Sequence, residues 1–170
     1  DVITKSDQAE LTPNQIIEGL KEGNKRFVEG NLTAIDYNAQ VKATATGQYP
    51  EAIVLSCLDS RVPVEIIFDK GIGDIFVGRV AGNIENDDML GSFEFGTAIA
   101  GSKVILVLGH TSCGAVKGAV DYAAVKDMGM DKLNHLLENI SPAVEGSLKD
   151  GEERTSKNSE LVQRSVEENV

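Results

Sequence analysis

Three short, largely apolar runs in the middle of the chain predict the strands of a buried sheet. They occupy residues 52–56, 75–80 and 103–108. Apolar residues that follow one another without alternation are typical of strands covered on both faces, as in parallel sheets. We therefore expect all three strands to be buried.

Apolar residues at helical spacing separate and flank these strands. Thr12, Pro13 and Gln15 have the residue types of a helix start with a capping box, and the apolar stripe that follows ends near Gly30. Further helices are predicted at residues 63–68, 88–99, 114–125, along the stripe 133–140 and, weakly, at 160–170, with residues 31–50 irregular or partly helical and 141–159 polar and less regular.

The alternation of strands and helices predicts an α/β fold with a central, mostly parallel β-sheet flanked by helices. The chain has 170 residues, 41% of them hydrophobic, which is enough for a single domain with its own core. We divide that domain, residues 1–170, into an N-terminal helical arm (1–45), an α/β core (50–125) and a C-terminal helical region (130–170).

The charge of the chain restricts its partners. A formal net charge of −11 argues against nucleic acid and anionic membrane surfaces, whose phosphates would repel it. No apolar run reaches the roughly 18 residues that a membrane-spanning helix needs. The sequence starts at Asp1 rather than Met, which leaves open a removed signal peptide and therefore a cytoplasmic or a periplasmic location.

Both cysteines and one of the two histidines follow predicted strands. Cys57 comes after the first strand, and His110 and Cys113 come after the third. Sites in open parallel sheets form beyond the carboxyl ends of the strands, so the fold can bring these residues together. Thiolate and imidazole are zinc ligands, and three protein ligands leave the open position of a catalytic site. The alternatives are a disulfide between the cysteines, and His135 as a fourth ligand rather than an ordinary surface histidine.

Asp59 and Arg61 share the turn that carries Cys57. Because alternate residues of an extended chain point the same way, Asp59 could face the metal along with Cys57. It would then be the fourth ligand or accept a hydrogen bond from a zinc-bound water, and Arg61 could hold its carboxylate with two parallel hydrogen bonds. The simpler alternative is a surface ion pair that contributes little to stability.

Two motifs around these residues resemble those of the β-class carbonic anhydrases. They are Cys57-x-Asp59-Ser60-Arg61 and His110-x-x-Cys113-Gly114, with further similarity in residues 71–77, 79–83 and 109–118. The resemblance covers roughly residues 10–145. It implies the reversible hydration of CO₂ to bicarbonate and a proton by a zinc-bound hydroxide.

The resemblance also implies roles for individual residues. Cys57, His110 and Cys113 would bind Zn²⁺. Asp59 and Arg61 would form a catalytic dyad that orients the zinc hydroxide or closes the site.

Residues for substrate binding are implied in the same way. Gln48 would hydrogen-bond substrate across a dimer interface, as in plant-type members of the family. Phe76 and Phe95 would line an apolar CO₂ pocket, although the family often has Tyr at the position of Phe95. Ala81 stands at a pocket position where the family often has a larger aliphatic residue, and the Gly114 backbone N–H would contact substrate.

The family forms dimers or larger assemblies, so the resemblance implies a homodimer or a dimer of dimers, with the N-terminal arm packing on the partner subunit. Gln48 and the absence of Trp are typical of the plant-type subgroup, because the other subgroup has a regulatory bicarbonate site built partly from Trp. The family usually continues with a further strand at the sheet edge, and we expect the sequence, which ends at Val170, to lack it.

Three other functions stay open at this point. One is a non-catalytic zinc-binding or interaction protein on the same fold, and another is a related hydrolase acting on carbon disulfide. The third is a thiol redox protein that uses Cys57 and Cys113. The redox function is the weakest, because the chain has no Cys-x-x-Cys motif and that chemistry gives no role to Asp59 or His110.

Overall fold

The strands of the described chain form one parallel sheet. The structure, a computed structural model, describes residues 2–170. Within them the strand order is β2-β1-β3, with β1 at Ala52–Ser56, β2 at Ile75–Arg79 and β3 at Val104–Leu108. Helices flank the sheet, so the predicted α/β class is confirmed. Asp1, where the predicted arm and domain begin, lies outside the described residues.

The three strands differ in burial. Every residue of β1 is buried, because β1 lies between the two other strands. On β2 only Ile75 is buried, and on β3 Ile105 is 46% exposed. The expectation of full burial is therefore right for β1 and wrong for β2 and β3. Within residues 2–170 these two strands are the sheet edges, and their side chains have a neighbouring strand on one side only.

Helices occupy most of the remaining described chain. They are α1 Lys5–Glu10, α2 Pro13–Val28, α3 Tyr37–Thr44, α4 Val64–Ile67, α5 Asp87–Glu94 with a π-helical continuation Phe95–Ile99, α6 Gly114–Val120, α7 Tyr122–Val125, α8 Asp131–Ser147 and α9 Ser159–Glu168. No helix in residues 2–170 combines the length and the apolar character needed to cross a bilayer.

Two helices show where the pattern succeeded and where it failed. α2 begins as predicted, with Thr12 and Gln15 capping each other reciprocally. The prediction for residues 141–147 is wrong, because α8 continues through them to Ser147. Ala143 and Val144 are buried and extend the apolar face of α8, and this burial outweighs the missing amide donor of Pro142.

The described chain forms two compact units. The first comprises residues 2–55, 63–78 and 85–106, which include α1 to α5 and most of each strand. The second comprises residues 56–62, 79–84 and 107–170, which include α6 to α9 and the loops that follow the strands. All of the predicted metal ligands, and the Asp59–Arg61 pair, belong to the second unit.

The second unit has an aliphatic core built by α6, α8 and α9. Burying each of its large side chains contributes about 1.5–3 kcal/mol to folding. Its members come from all three helices and include Val116, Leu137, Ile140, Leu161 and Val166. Cys57 and Cys113 belong to the same cluster, so both thiols lie among apolar side chains rather than in water.

Candidate metal centre

The three residues predicted to bind metal come together in the second unit. The ligand atoms of Cys57, His110 and Cys113 all lie within 4.8 Å of one another. The two sulfur atoms are 3.8 Å apart and both cysteines are free, whereas a disulfide would need about 2.05 Å. The disulfide alternative is therefore wrong for the described chain, and these three residues could hold a metal ion.

His110 is oriented for coordination by its own backbone neighbour. Its Nδ1 lies 2.9 Å from the Thr111 carbonyl oxygen, so Nδ1–H donates to that oxygen. This tautomer leaves a lone pair on Nε2. Nε2 is buried and has no hydrogen-bond partner among residues 2–170. A buried, unpaired ring nitrogen is costly unless something binds it, and a metal would satisfy it.

Cys113 reaches the cluster through a sharp turn before α6. Ser112 has a φ of 56°, in the left-handed region, and Cys113 is the N-cap residue of α6. Burial raises the pKa of the Cys113 thiol, and the Cys57 sulfur adds to the rise, while the backbone amides of Val116 and Ala115 oppose it. A bound cation favours the thiolate that burial disfavours.

Cys57 is fixed from the loop that follows β2. The Gly82 backbone N–H donates to Cys57 Sγ over 3.3 Å. Arg79, the last residue of β2, donates from Nε to the Cys57 carbonyl over 2.9 Å and from Nη2 to the Asp59 carbonyl. Arg79 and Gly82 thus brace the turn that carries the ligand. Sequence reasoning gave them no role, although both stand in the segment 79–83 that resembled the family.

Asp59 and Arg61 form the pair that the sequence predicted. Arg61 Nε donates to Asp59 Oδ1 over 2.9 Å and Nη2 donates to Oδ2 over 2.7 Å. The Arg61 backbone N–H adds a third bond to Oδ1, 2.9 Å long. These hydrogen bonds hold the pKa of the Asp59 carboxyl well below its usual range. The carboxylate is therefore ionised at neutral pH, and both of its oxygens are bound by Arg61.

Asp59 lies beside the three converging ligands but is not one of them, which is relevant to its predicted role as a fourth ligand. Its Oδ2 lies 3.8 Å from His110 Nε2, beyond hydrogen-bond length but beside the cluster. The group of ligand atoms that converge comprises Cys57, His110 and Cys113, without Asp59.

His135 is exposed on α8 and is an ordinary surface histidine in the described chain.

The donor set fits zinc. Two sulfurs and one imidazole nitrogen are ligands that zinc prefers, and the unpaired Nε2 has the free lone pair that coordination needs. Three protein ligands leave one coordination position for a non-protein ligand. The same set is a poor match for magnesium or calcium, which prefer oxygen ligands.

The residues implied for substrate binding lie in both units. In the first unit, the rings of Phe76 and Phe95 meet edge to face with centroids 6.5 Å apart, and Gln48 is exposed in the loop before β1. In the second unit, Ala81 precedes Gly82, and Gly114 is exposed at the start of α6 beside Cys113. Their roles toward substrate stay predictions.

Comparison with known proteins agrees with this geometry. Residues 52–170 match the family model described as carbonic anhydrase. Carbonic anhydrase 2 of Mycobacterium tuberculosis is 40% identical over 159 residues, which are 90% of this chain and 73% of that protein. The carbonic anhydrase of Mycolicibacterium smegmatis is 38% identical over 128 residues, 75% of this chain and 62% of that protein.

A solved structure shares the fold. The Coccomyxa β-carbonic anhydrase, solved in complex with acetazolamide, superimposes with a TM-score of 0.67 at 24% identity, covering 95% of this chain and 68% of that one. Fold and site thus define an α/β protein with a candidate Cys₂His metal centre on the segments that follow its strands in the chain. The chain belongs to the carbonic anhydrase family, and its fold is that of the β class.

Proposed function

We propose that this protein is a zinc enzyme that catalyses the reversible hydration of CO₂ to bicarbonate and a proton. The observation that carries the proposal is the convergence of two buried sulfurs with a buried ring nitrogen that has no other partner in the described chain. Cys57, His110 and Cys113 would hold the Zn²⁺. When bound, zinc acts as a Lewis acid that acidifies a water molecule and so supplies the nucleophile.

Asp59 would orient that nucleophile. Its carboxylate is ionised and lies beside His110 Nε2, where an oxygen can accept a hydrogen bond from a group in the open coordination position. Arg61 binds both carboxylate oxygens and would thereby hold Asp59 away from the metal. If Asp59 instead moved onto the metal, it would close the site, and the Arg61 pair would have to break.

The substrate side of the site is assigned by resemblance. By that resemblance, Phe76 and Phe95 would contact apolar CO₂, Ala81 would take the place of a pocket residue that is often larger in the family, and the Gly114 backbone N–H would donate to bicarbonate. Gln48 would hydrogen-bond substrate from a neighbouring subunit, as in plant-type members.

An assembly would also cover apolar surface. Leu90, Phe95 and Ile99, on α5 and its π-helical continuation, are 45%, 55% and 75% exposed in this chain. Exposed apolar side chains become interaction surfaces when a partner covers them, and these three are candidates for such a contact. We propose a homodimer or a dimer of dimers, which would cover these side chains; packing of the N-terminal arm on the partner is implied by the family resemblance alone.

The charge of the centre predicts how activity depends on pH. Two thiolates neutralise Zn²⁺, so the bound water should be less acidic than the water of a three-histidine carbonic anhydrase, which has an established pKa of about 7. We expect CO₂ hydration to increase from pH 7 to pH 9 on the order of tenfold. Stopped-flow hydration of CO₂ with a pH indicator, on protein with one zinc per chain, measures this profile.

The same preparation separates the proposal from its alternatives. A flat profile between pH 7 and 9 would contradict the charge argument. Zinc-loaded protein without hydratase activity would favour the non-catalytic zinc protein, and turnover of carbon disulfide but not CO₂ would favour the related hydrolase. Protein that does not bind zinc would remove the metal centre altogether.

A further inference from the structure

The turn that faces Cys57 has an unusual backbone. Residues Ala81–Asn83 form a short turn after β2 that is not helical at Gly82. Gly82 has a φ of 72° and Asn83 a φ of 45°, so two consecutive residues are left-handed. Glycine adopts this region without steric cost and asparagine tolerates it better than most residues, so the sequence Gly82-Asn83 suits the turn. The turn places the Gly82 backbone N–H so that it donates a hydrogen bond to Cys57 Sγ over 3.3 Å.

A side chain from the end of α9 holds this turn. Asn169 Nδ2 donates to the Gly82 carbonyl oxygen over 2.7 Å. In return, Asn83 Nδ2 donates to the Asn169 carbonyl oxygen over 3.5 Å. The Asn169 contact fixes the carbonyl of the residue whose N–H points at the Cys57 sulfur. An added Cβ on Gly82 would lie 2.5 Å from Ile140 Cδ1, so the turn is also packed tightly against α8.

Asn169 is itself held firmly. It is the C-cap residue of α9, and its backbone N–H donates to the Ser165 carbonyl over 3.1 Å. Through Leu161 and Val166, α9 belongs to the aliphatic cluster that also contains Cys57 and Cys113. Two hydrogen bonds therefore connect the end of α9 to the ligand sulfur: Asn169 Nδ2 donates to the Gly82 carbonyl oxygen, and the Gly82 N–H donates to Cys57 Sγ.

We propose that Asn169 is a positioning residue for the metal centre, acting through Gly82 on the sulfur of Cys57. The inference rests on the proposed zinc site. A hydrogen bond to a ligand sulfur withdraws electron density and tunes how strongly the sulfur donates to the metal. By fixing Gly82, Asn169 keeps this bond in place and keeps Cys57 oriented for coordination.

The experiment uses Asn169→Leu, which keeps the branched shape of the side chain but removes the donor. Glu168→Ala, at the neighbouring exposed position of α9, is the matched control. Each variant of the 170-residue chain is loaded with Co²⁺ to record the sulfur-to-cobalt charge-transfer band. Zinc affinity is measured by competition with a chelating dye, and thermal stability is recorded without metal.

In Asn169→Leu we expect the charge-transfer band to move to longer wavelength, because a sulfur without its hydrogen bond gives up an electron more easily. We expect the Kd for Zn²⁺ to rise about tenfold. Glu168→Ala should match the unaltered protein in both measurements.

Two results would overturn the proposal. If Asn169→Leu keeps the unaltered band and zinc affinity, with or without a lower melting temperature, Asn169 serves only the packing of α9. If the unaltered protein shows no sulfur-to-cobalt band at all, the proposed Cys₂His site fails, and the role of Asn169 fails with it. The first result leaves the zinc site standing, so the two failures are distinguishable.

Discussion

Replacing Cys57 with serine is expected to remove zinc and CO₂ hydration together. Cys57 is buried at the end of β1 and provides one of the two sulfurs of the cluster. A serine hydroxyl stays protonated at neutral pH and is a poor zinc ligand, so only Cys113 and His110 would remain to bind the ion. We expect zinc content to fall from about one per chain to near zero. Hydration should fall more than the 10–100-fold that is typical for residues that only orient ligands.

Metal analysis by plasma emission spectrometry and stopped-flow hydration assays measure the two effects on the same sample. Leu58→Ser is the matched control, because Leu58 is the neighbouring residue, is 65% exposed and offers no ligand atom. That variant should keep its zinc. A Cys57→Ser protein that retained a full equivalent of zinc would show that the metal binds elsewhere.

Replacing Asp59 with asparagine should have the second largest effect, and of a different kind. Zinc should stay bound, because Asp59 is not among the converging ligand atoms. Hydration should fall by about 10²–10⁴-fold, the range for a positioned acid–base group. The amide cannot reproduce the ionised carboxylate that accepts three hydrogen bonds from Arg61.

The pH dependence of CO₂ hydration by Asp59→Asn tests whether Asp59 titrates during the expected alkaline rise. An aspartate carboxyl is ionised throughout pH 7 to 9, and Arg61 lowers the pKa of Asp59 still further. Its titration therefore does not cause the expected alkaline rise. Because Asp59→Asn removes a negative charge beside the centre and leaves Arg61 unpaired, the variant should show a lower maximal rate, with the rise moved to lower pH. Asp150→Asn, at an exposed position of the second unit, is the control and should leave the profile intact. Full activity in Asp59→Asn would remove Asp59 from the mechanism.

The parts of the fold that were predicted have strong local signals. β1 was located because Ala52 to Leu55 are consecutive apolar residues without polar alternation, and the structure buries all five residues of the strand. α1 was missed because it is short and has no apolar stripe. It is stabilised by a capping box between Thr4 and Asp7 and by Gln8, which donates to the distant carbonyls of Pro50 and Ala100.

The site residues likewise divide into those with a strong local signal in the sequence and those without one. Cys57, His110 and Cys113 were found because rare, chemically distinctive side chains follow two strands that the sheet brings together. Arg79 and Asn169 were missed because they act on backbone carbonyls, and no side-chain pattern in the sequence marks which carbonyl will need a donor.

The central claim is a Cys₂His zinc centre with one open position beside an Asp59–Arg61 pair. The most direct test is a crystal structure of the zinc-loaded protein at pH 8, with zinc located by anomalous scattering. We predict zinc bonded to both sulfurs at about 2.3 Å and to His110 Nε2 at about 2.0–2.1 Å, a non-protein ligand in the fourth position, and Asp59 still paired with Arg61. Zinc absent from this cluster, or Asp59 bound to it with the Arg61 pair broken, would contradict the account.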